Sequence, residues 1–409
     1  MSKQLIIIGG GAAGFFCAVN AAHMNSNLKI TLLEKQNKVL QKVKVSGGGR
    51  CNVTNACFQN SELTKKYPRG KNFLKKSFTQ FSTKDTIEWF RSRKIELKTE
   101  PDGRMFPASN TSQTIIDCLL NEATKYQIQV ELNAEVIDIK KQNNQFKIEL
   151  KNKQAMTADF LMVASGGFPK IEQYHWLVSL GHHIVQPIPS LFTFNTPNTA
   201  LKQLMGVVVE NVIVKIEGYK LIEEGPILIT HWGLSGPAIL RLSAWGAREL
   251  FEANYHFNVL INWLGLPENE VREKWNHYRN TQGANTIGSK NPFGLPNRLW
   301  DYLLLESGIS MNTKWSELPT KEQNKLIHNL TTQTLQVEGK TTFKEEFVTC
   351  GGIELSEINP LTMESKLVDN LYFGGEIMDI DGITGGFNFQ HAWTSGYIAA
   401  KNIATNESA

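Results

Sequence analysis

Residues 3–34 read KQLIIIGGGAAGFFCAVNAAHMNSNLKITLLE. The short apolar run at 3–8 fits a strand buried on both faces of a parallel sheet. Glycines follow it, an apolar stretch from Phe15 to Met24 predicts a helix, and residues 28–34 predict a second strand. This is a β-α-β unit carrying Gly9-x-Gly11-x-x-Gly14 at its first turn. Gly9 permits the tight turn, Gly11 lets the backbone approach a pyrophosphate, and Gly14 lets the helix pack close to the sheet. Ala12 and Ala13 place the helix's unpaired N–H groups and its partial positive charge where phosphates would lie. Glu34 ends the second strand twenty residues after Gly14, followed by Lys35. A carboxylate there accepts hydrogen bonds from ribose hydroxyls and disfavours a 2′-phosphate, so FAD or NAD fits better than NADP.

Three further segments favour FAD over NAD. Residues 46–55 read SGGGRCNVTN, in which Ser46, Gly47, Gly48, Gly49, Arg50, Cys51 and Asn52 suit backbone approach to an extended polar cofactor. Residues 161–167, LMVASGG, predict a strand ending in small residues, with Ala164 and Gly166 against the nucleotide half. Residues 374–388, GGEIMDIDGITGGFN, contain Gly375, Glu376 and Asp379, then Gly385, Gly386, Phe387 and Asn388 opening a helix. A helix start so placed can face the flavin pyrimidine and stabilise negative charge on its reduced form.

The rest of the chain bounds the architecture. Its 409 residues suggest two or three domains. No apolar run approaches the ~20 residues of a membrane span. The N-terminus lacks an export signal, which points to the cytoplasm. Five cysteines without CxxC spacing argue against a disulfide framework or structural zinc.

Residues 36–82 read mostly as loop. A helix is expected from Asp85 to Lys94 and another from Asn110 or Thr111 to Tyr126. Strands are expected at 128–140, 144–150 and 157–164, the first two joined by a turn at Asn143-Asn144. Short β-like runs fill 190–262, helical periodicity fills 267–335, and a helix from Gln390 to Ile403 closes the chain. The expected fold class is α/β: a split Rossmann-type FAD-binding domain (1–190 with 341–409) interrupted by a β-rich insertion (191–265) and a helical insertion (266–340).

Charge is uneven. Residues 35–104 hold twelve Lys and five Arg against six acids, +11 within a chain of net +4. This is either a solvated basic face or a docking surface for a polyanion such as RNA or a phosphorylated reductant. Tyr67, Phe73, Phe78, Phe81 and Trp89 are interleaved with it as candidate base-stacking groups.

With these motifs the chain resembles the bacterial flavoproteins known as aminoacetone-oxidase-family or bile-acid-reductase-like NAD(P)/FAD-dependent oxidoreductases. The resemblance is carried by GGGAAG at 9–14, SGGGRCNVTN at 46–55, GRMFP at 103–107, THWGLSGP at 230–237 and residues 374–388. It implies non-covalent FAD, a three-part build in which the split Rossmann-type FAD-binding domain carries a β-barrel-like insertion and a small helical domain, and reduction of an electron-poor C=C bond in a small enone or in a uracil of ribosomal RNA. An FAD-dependent amine oxidase using dioxygen and a non-catalytic FAD- or RNA-binding module are the alternatives. With one GxGxxG in the sequence, NAD(P)H is expected only as a transient reductant.

Reducing a conjugated C=C bond needs a hydride, a proton and stabilisation of an enolate oxygen. Cys51 is a candidate acid, since the neighbouring Arg50 would lower a thiol pKa; otherwise it is a buried filler. Arg104 could clamp a carbonyl or phosphate, or be a surface cation. His231 precedes Trp232-Gly233-Leu234-Ser235-Gly236-Pro237, where Ser235 is expected to cap the helix opened by Pro237; otherwise His231 is structural. His175, His182 and His183 match no metal spacing and have no acid nearby in sequence, so no metal is expected.

Overall fold

The computed structural model describes residues 2–341 and 348–406. They form two compact units, residues 2–189 with 348–406 and residues 190–341.

The first unit is built on a five-stranded parallel sheet. Its strand order is Leu371–Phe373, Phe160–Val163, Gln4–Ile8, Lys29–Leu33, Gln129–Glu131. The central strand carries Leu5, Ile6 and Ile7 with no exposed surface, as expected where helices cover both faces. The first helix, Ala12–Met24, follows the turn, and the closing helix, Phe387–Asn406, packs along it. Gly396 makes that approach close: a Cβ there would stand 2.6 Å from Ala13 O.

Several local expectations change. The predicted strand 128–140 divides between the parallel sheet (Gln129–Glu131) and an antiparallel meander formed by Val136–Gln142, Gln145–Leu150 and Ala155–Ala158. The strand predicted at 157–164 divides likewise at Asp159, whose carboxylate accepts from Gln4 N and Gln145 Nε2 and so joins the two sheets. Asn143 and Asn144 both have positive φ (49° and 66°), the pair a type I′ hairpin turn requires.

Residues 36–82 contain three short helices, Gln41–Gly49, Asn60–Thr64 and Lys71–Ser77. Each is too short to show a period, and they are fixed by burial of Val43, Leu63, Phe73 and Leu74. Ser82 and Asp85 form a capping box, starting the next helix at Thr83 (Thr83–Arg91). The following helix, Gln113–Lys125, starts after Ser112 rather than at Asn110 or Thr111.

The second unit holds a seven-stranded antiparallel sheet in the order Gln333–Glu338, His256–Asn262, Val208–Ile216, Ile222–Ile229, Gly233–Ser235, Thr193–Asn195, Lys340–Thr341. Helices Pro237–Trp245, Glu268–Gln282, Asn297–Glu306 and Thr320–Thr332 cover it. Sheet and helices share one apolar core containing Trp263, Trp275, Trp300 and Trp315, so the line drawn between residues 265 and 266 runs through that core. The helical stretch ends at Thr332, because residues 333–338 alternate buried and exposed and form a strand. Ser235 lies in a strand opposite Leu228 and caps nothing; the helix opened by Pro237 is preceded by Gly236 at φ 98°. No helix among the described residues is long and apolar enough to cross a membrane.

Candidate active site

The site in the first unit is built from loops at the carboxyl ends of the parallel strands, the edge at which open α/β sheets bind ligands. Its glycines fall into two kinds. At Gly9 a Cβ would meet Ala164 O at 2.3 Å, and at Gly14 it would meet Gly9 O at 2.0 Å. Gly9 lets the ends of two neighbouring strands approach, and Gly14 lets the helix touch the turn. At Gly11, Gly48, Gly49 and Gly166 a Cβ would meet nothing within 4 Å, so their bare backbones border open space. Gly11 precedes the first helix with no side-chain cap, leaving the first-turn N–H groups, including those of Ala12 and Ala13, to a ligand. An extended phosphate-bearing cofactor fits this open, donor-rich edge.

Glu34 is tied to the same turn. Its Oε2 accepts from Gly10 N at 2.9 Å and its Oε1 from Gln36 N at 2.8 Å. Each oxygen retains a second lone pair for a ribose hydroxyl. Lys35 stands over the Phe168 ring, 5.3 Å from its centroid.

The 46–55 loop leaves its helix through three consecutive left-handed residues, Gly47, Gly48 and Gly49 (φ 58°, 67°, 83°). Successive N–H groups in such turns form anion-binding concavities. The Ser46 hydroxyl donates to Val43 O at 3.0 Å and its carbonyl accepts from Cys51 N at 2.9 Å. The Asn52 amide, oriented to satisfy both ends, donates to Thr54 O (3.0 Å) and accepts from Gly386 N (2.9 Å). Asn55 Nδ2 donates to Gly385 O at 3.1 Å. These bonds fasten the 46–55 loop to the start of the closing helix, over 300 residues away in sequence. At that start Asn388 closes its own loop, accepting from Gly382 N (2.8 Å) and donating to Gly382 O (2.9 Å). The Phe387 side chain is buried, and its carbonyl accepts from Tyr67 Oη at 2.7 Å. Asn388 and Phe387 therefore act on a cofactor through the backbone they fix.

Glu376 accepts from Thr349 N (2.8 Å) and pairs with Lys42 Nζ (2.7 Å), while Asp379 N donates to Ile353 O (3.1 Å). Gly375, at φ 70°, is held from both sides by the closing helix. Its N–H donates to Ser395 Oγ (2.9 Å), and its carbonyl accepts from His391 Nε2 (3.2 Å). A Cβ on Gly375 would lie 3.1 Å from Ala13 Cβ, so this clamp sits against the dinucleotide helix. Burial pushes His391 down to about 4, fixing the neutral ring, and among the described residues its Nδ1 has no hydrogen-bond partner. Sequence reading missed His391, Ser395 and Asn55; the i, i+4 spacing of His391 and Ser395 on the closing helix was the available signal.

One catalytic candidate is corrected. Cys51 is fully buried at φ 61°, and burial pushes its thiol up to about 12, against a weaker lowering by Ser46. Arg50 does not activate it: that guanidinium pairs with Glu100 (2.6 Å) and lies 4.0 Å from the Phe106 ring centroid. Cys51 is a packed filler. His231 belongs to the second unit, exposed, with its ring 4.0 Å from that of Trp232. Arg104 is in the first unit on a strand beside Asn55, 40% exposed and paired with Asp102 (2.6 Å) and Glu100 (3.3 Å). Glu100 thus holds Arg50 and Arg104 together.

The three histidines do not converge. His175 Nε2 meets Ile137 O and His182 Nε2 meets Ser365 Oγ. His183 gains carboxylates its sequence neighbourhood lacks, Glu354 and Glu357, and its hydrogen bond with Glu357 (2.5 Å) raises its pKa. The proposed stacking aromatics Tyr67, Phe73, Phe78, Phe81 and Trp89 are all buried: Tyr67 and Phe81 pack on rings of the closing helix, Phe81 and Trp89 on Phe16 of the first helix, and Tyr67 on Phe78, so none is open to a base.

A parallel sheet with a glycine-rich dinucleotide turn and a second glycine-opened helix start defines a Rossmann-type flavin-dependent oxidoreductase. The model of the HI0933-like protein Rossmann domain matches residues 3–402, and the chain belongs to that family. It is 30% identical to a ribosomal RNA dihydrouridine synthase of Escherichia coli over 98% of both chains. It is 28% identical to a 3-dehydro-bile acid delta(4,6)-reductase of Clostridium scindens, over 98% of this chain and 99% of the relative. Among solved structures it resembles 3-ketosteroid delta1-dehydrogenase of Sterolibacterium denitrificans (TM-score 0.52, 12% identity, 99% and 100% covered). It also resembles 3-ketosteroid-delta4-(5alpha)-dehydrogenase of Rhodococcus jostii (TM-score 0.51, 11% identity, 98% and 97% covered). Identities this low speak to fold alone.

Proposed function

We propose that this chain is an FAD-dependent reductase of a carbon–carbon double bond conjugated to a carbonyl, acting on a uracil of ribosomal RNA or on a small enone. The observation that carries this reading is the fastening of the SGGGRCN loop to the second helix start, through Asn52–Gly386 and Asn55–Gly385, at the edge that holds the open dinucleotide turn. Both full-length relatives, by their names, saturate bonds of this kind.

Bound FAD supplies a hydride from its N5. The residues that would hold it are Gly11 with the first-turn N–H groups of Ala12 and Ala13 for the pyrophosphate, and Glu34 for the ribose. Ala164, Gly166 and the 46–52 loop border the cofactor. Gly375, Glu376 and Asp379 form a further wall, and residues 385–388 present a helix N-terminus to the flavin pyrimidine. Arg104, held beside Arg50 by Glu100, is the guanidinium assigned to the substrate carbonyl, where a fixed cation stabilises enolate charge. NAD(P)H is the proposed reductant, docking transiently.

The test is anaerobic. Purified protein should carry FAD, NADPH or NADH should bleach it, and an enone or a uridine-containing RNA should restore the oxidised spectrum. Arg104→Ala should slow that reoxidation by about 10²–10³-fold without loss of FAD. A reduced protein reoxidised only by air, with peroxide release, would move the assignment to an oxidase.

A further inference from the structure

The basic segment is less free than its composition suggests. All five of its arginines are consumed in ion pairs: Arg50 with Glu100, Arg69 with Asp381, Arg91 with Glu88, Arg93 with Glu122, and Arg104 with Asp102 and Glu100. The charge left on the surface belongs to lysines, and some of these gather in one place. Lys65, Lys66 and Lys71 all act on the Glu62 carboxylate and lower its pKa, with the Lys65 hydrogen bond contributing most. Lys75 follows Lys71 by one turn on the helix whose other face buries Phe73, Leu74 and Ser77. Only Lys65 is paired with Glu62; among the described residues Lys66, Lys71 and Lys75 reach no carboxylate.

Phe58 lies two residues before the helix Asn60–Thr64 that carries Glu62. It adjoins Cys57, whose thiol feels both Lys66 and Glu62. It is 49% exposed, whereas every other aromatic side chain of residues 35–104 is buried. The cluster is also fixed to the candidate site: Lys66 O accepts from Ile383 N at 3.0 Å, and Arg69 carries the buried Asp381 carboxylate. The loop that leads into the closing helix is therefore continuous with a lysine shelf bearing one open aromatic ring.

We infer that Lys65, Lys66, Lys71, Lys75 and Phe58 form the docking shelf for a single-stranded stretch of the RNA substrate, beside the site that reduces its base. This rests on the RNA form of the proposed function. Lysines track the phosphates while a sequence-tolerant ring stacks on a base, the arrangement by which proteins hold single strands. A base that reacts at a flavin must leave its helix, so an unpaired flank next to it needs such a hold. The shelf adds affinity and leaves the chemistry to the site.

The experiment uses the full-length holoprotein and a fluorescently labelled, uridine-rich single-stranded RNA, titrated by anisotropy between about 50 and 200 mM salt. Replacing the four lysines by glutamine should flatten the log–log salt dependence by about 3, at about 0.7 per lysine. Phe58→Ala should weaken binding by roughly 5- to 150-fold with the salt slope unchanged. Both variants should retain FAD content, melting temperature and reoxidation by a small enone. Variants that bind RNA as the parent does overturn the shelf and leave the reductase reading intact. A parent protein that binds no RNA overturns the shelf and the RNA reading together. Ribosomal dihydrouridine, measured by nucleoside mass spectrometry with and without the gene, tests the RNA reading separately.

Discussion

The two helix starts at the candidate site are made in opposite ways. The first helix begins after Gly11 with no side-chain cap, on a turn whose parts lie within a few residues of one another. The closing helix begins at Phe387, and its start is held by Asn52, Asn55 and Tyr67 from the far end of the sequence, as well as by its own Asn388. An uncapped start reserves its N–H groups for a ligand. A start fixed by remote amides is a position set by the whole fold. The ligand-facing N–H groups of the first start can be blocked without unfolding the protein, whereas the assembled start cannot be disturbed without loosening what it ties together.

Substitutions separate the two, from the largest effect on stability to the smallest. Gly14→Val would drive a side chain into Gly9 O and should cost about 4 kcal/mol or more, seen as a collapse in melting temperature. Asp381→Asn removes the buried charge that Arg69 pairs with in a nearly closed site and should cost about 3–5 kcal/mol in denaturant titrations. If that variant unfolds like the parent, the remote start is less dependent on its surroundings than argued.

His391 gives the comparison a pH axis. Its folded pKa, about 4, lies below its ordinary 6.5, so across that window the unfolded chain binds the extra proton. Stability contributed by the neutral ring is complete above about 6.5 and is lost as pH falls towards 4, by on the order of 3 kcal/mol. His391→Gln should be less stable at pH 7 but show a shallower acid slope in unfolding free energy. A slope equal to the parent's would remove His391 from this account. Asn388→Ala, which opens the residue 382–388 loop, should cost about 1–3 kcal/mol and weaken FAD retention on dialysis. Smallest of all, Gly11→Asp meets no neighbour and should change stability by no more than about 0.5 kcal/mol, yet yield a colourless protein by placing an anion at the pyrophosphate.

Legibility in the sequence followed the same division. The turn at 9–14, the partner strand with Glu34 and the helix 12–24 could be read directly, because their geometry depends on neighbours in sequence. The 46–55 and 374–388 loops could be recognised as glycine-rich, but not that Asn52 and Asn55 join them, since no local pattern encodes a bond across 330 residues. Reading Cys51 beside Arg50 as an activated thiol failed because adjacency in sequence is not adjacency of side chains: Arg50 turns to Glu100 and the thiol turns inward. The aromatics at 67–89 read as a surface set because lysines flank them; Phe73 and Trp89 supply the buried faces of amphipathic helices, and Tyr67, Phe78 and Phe81 are buried in the turns between.

The pairing of the first and closing helices also bears on how the chain is made. Synthesis at about 5–20 residues per second leaves Phe16 and Cys17 waiting tens of seconds for the helix that packs on them. In that interval residues 190–341, with a core of their own, can fold to completion. The nascent dinucleotide turn would then spend most of its synthesis as an apolar surface for chaperones, becoming a nucleotide site only once the chain has returned to it.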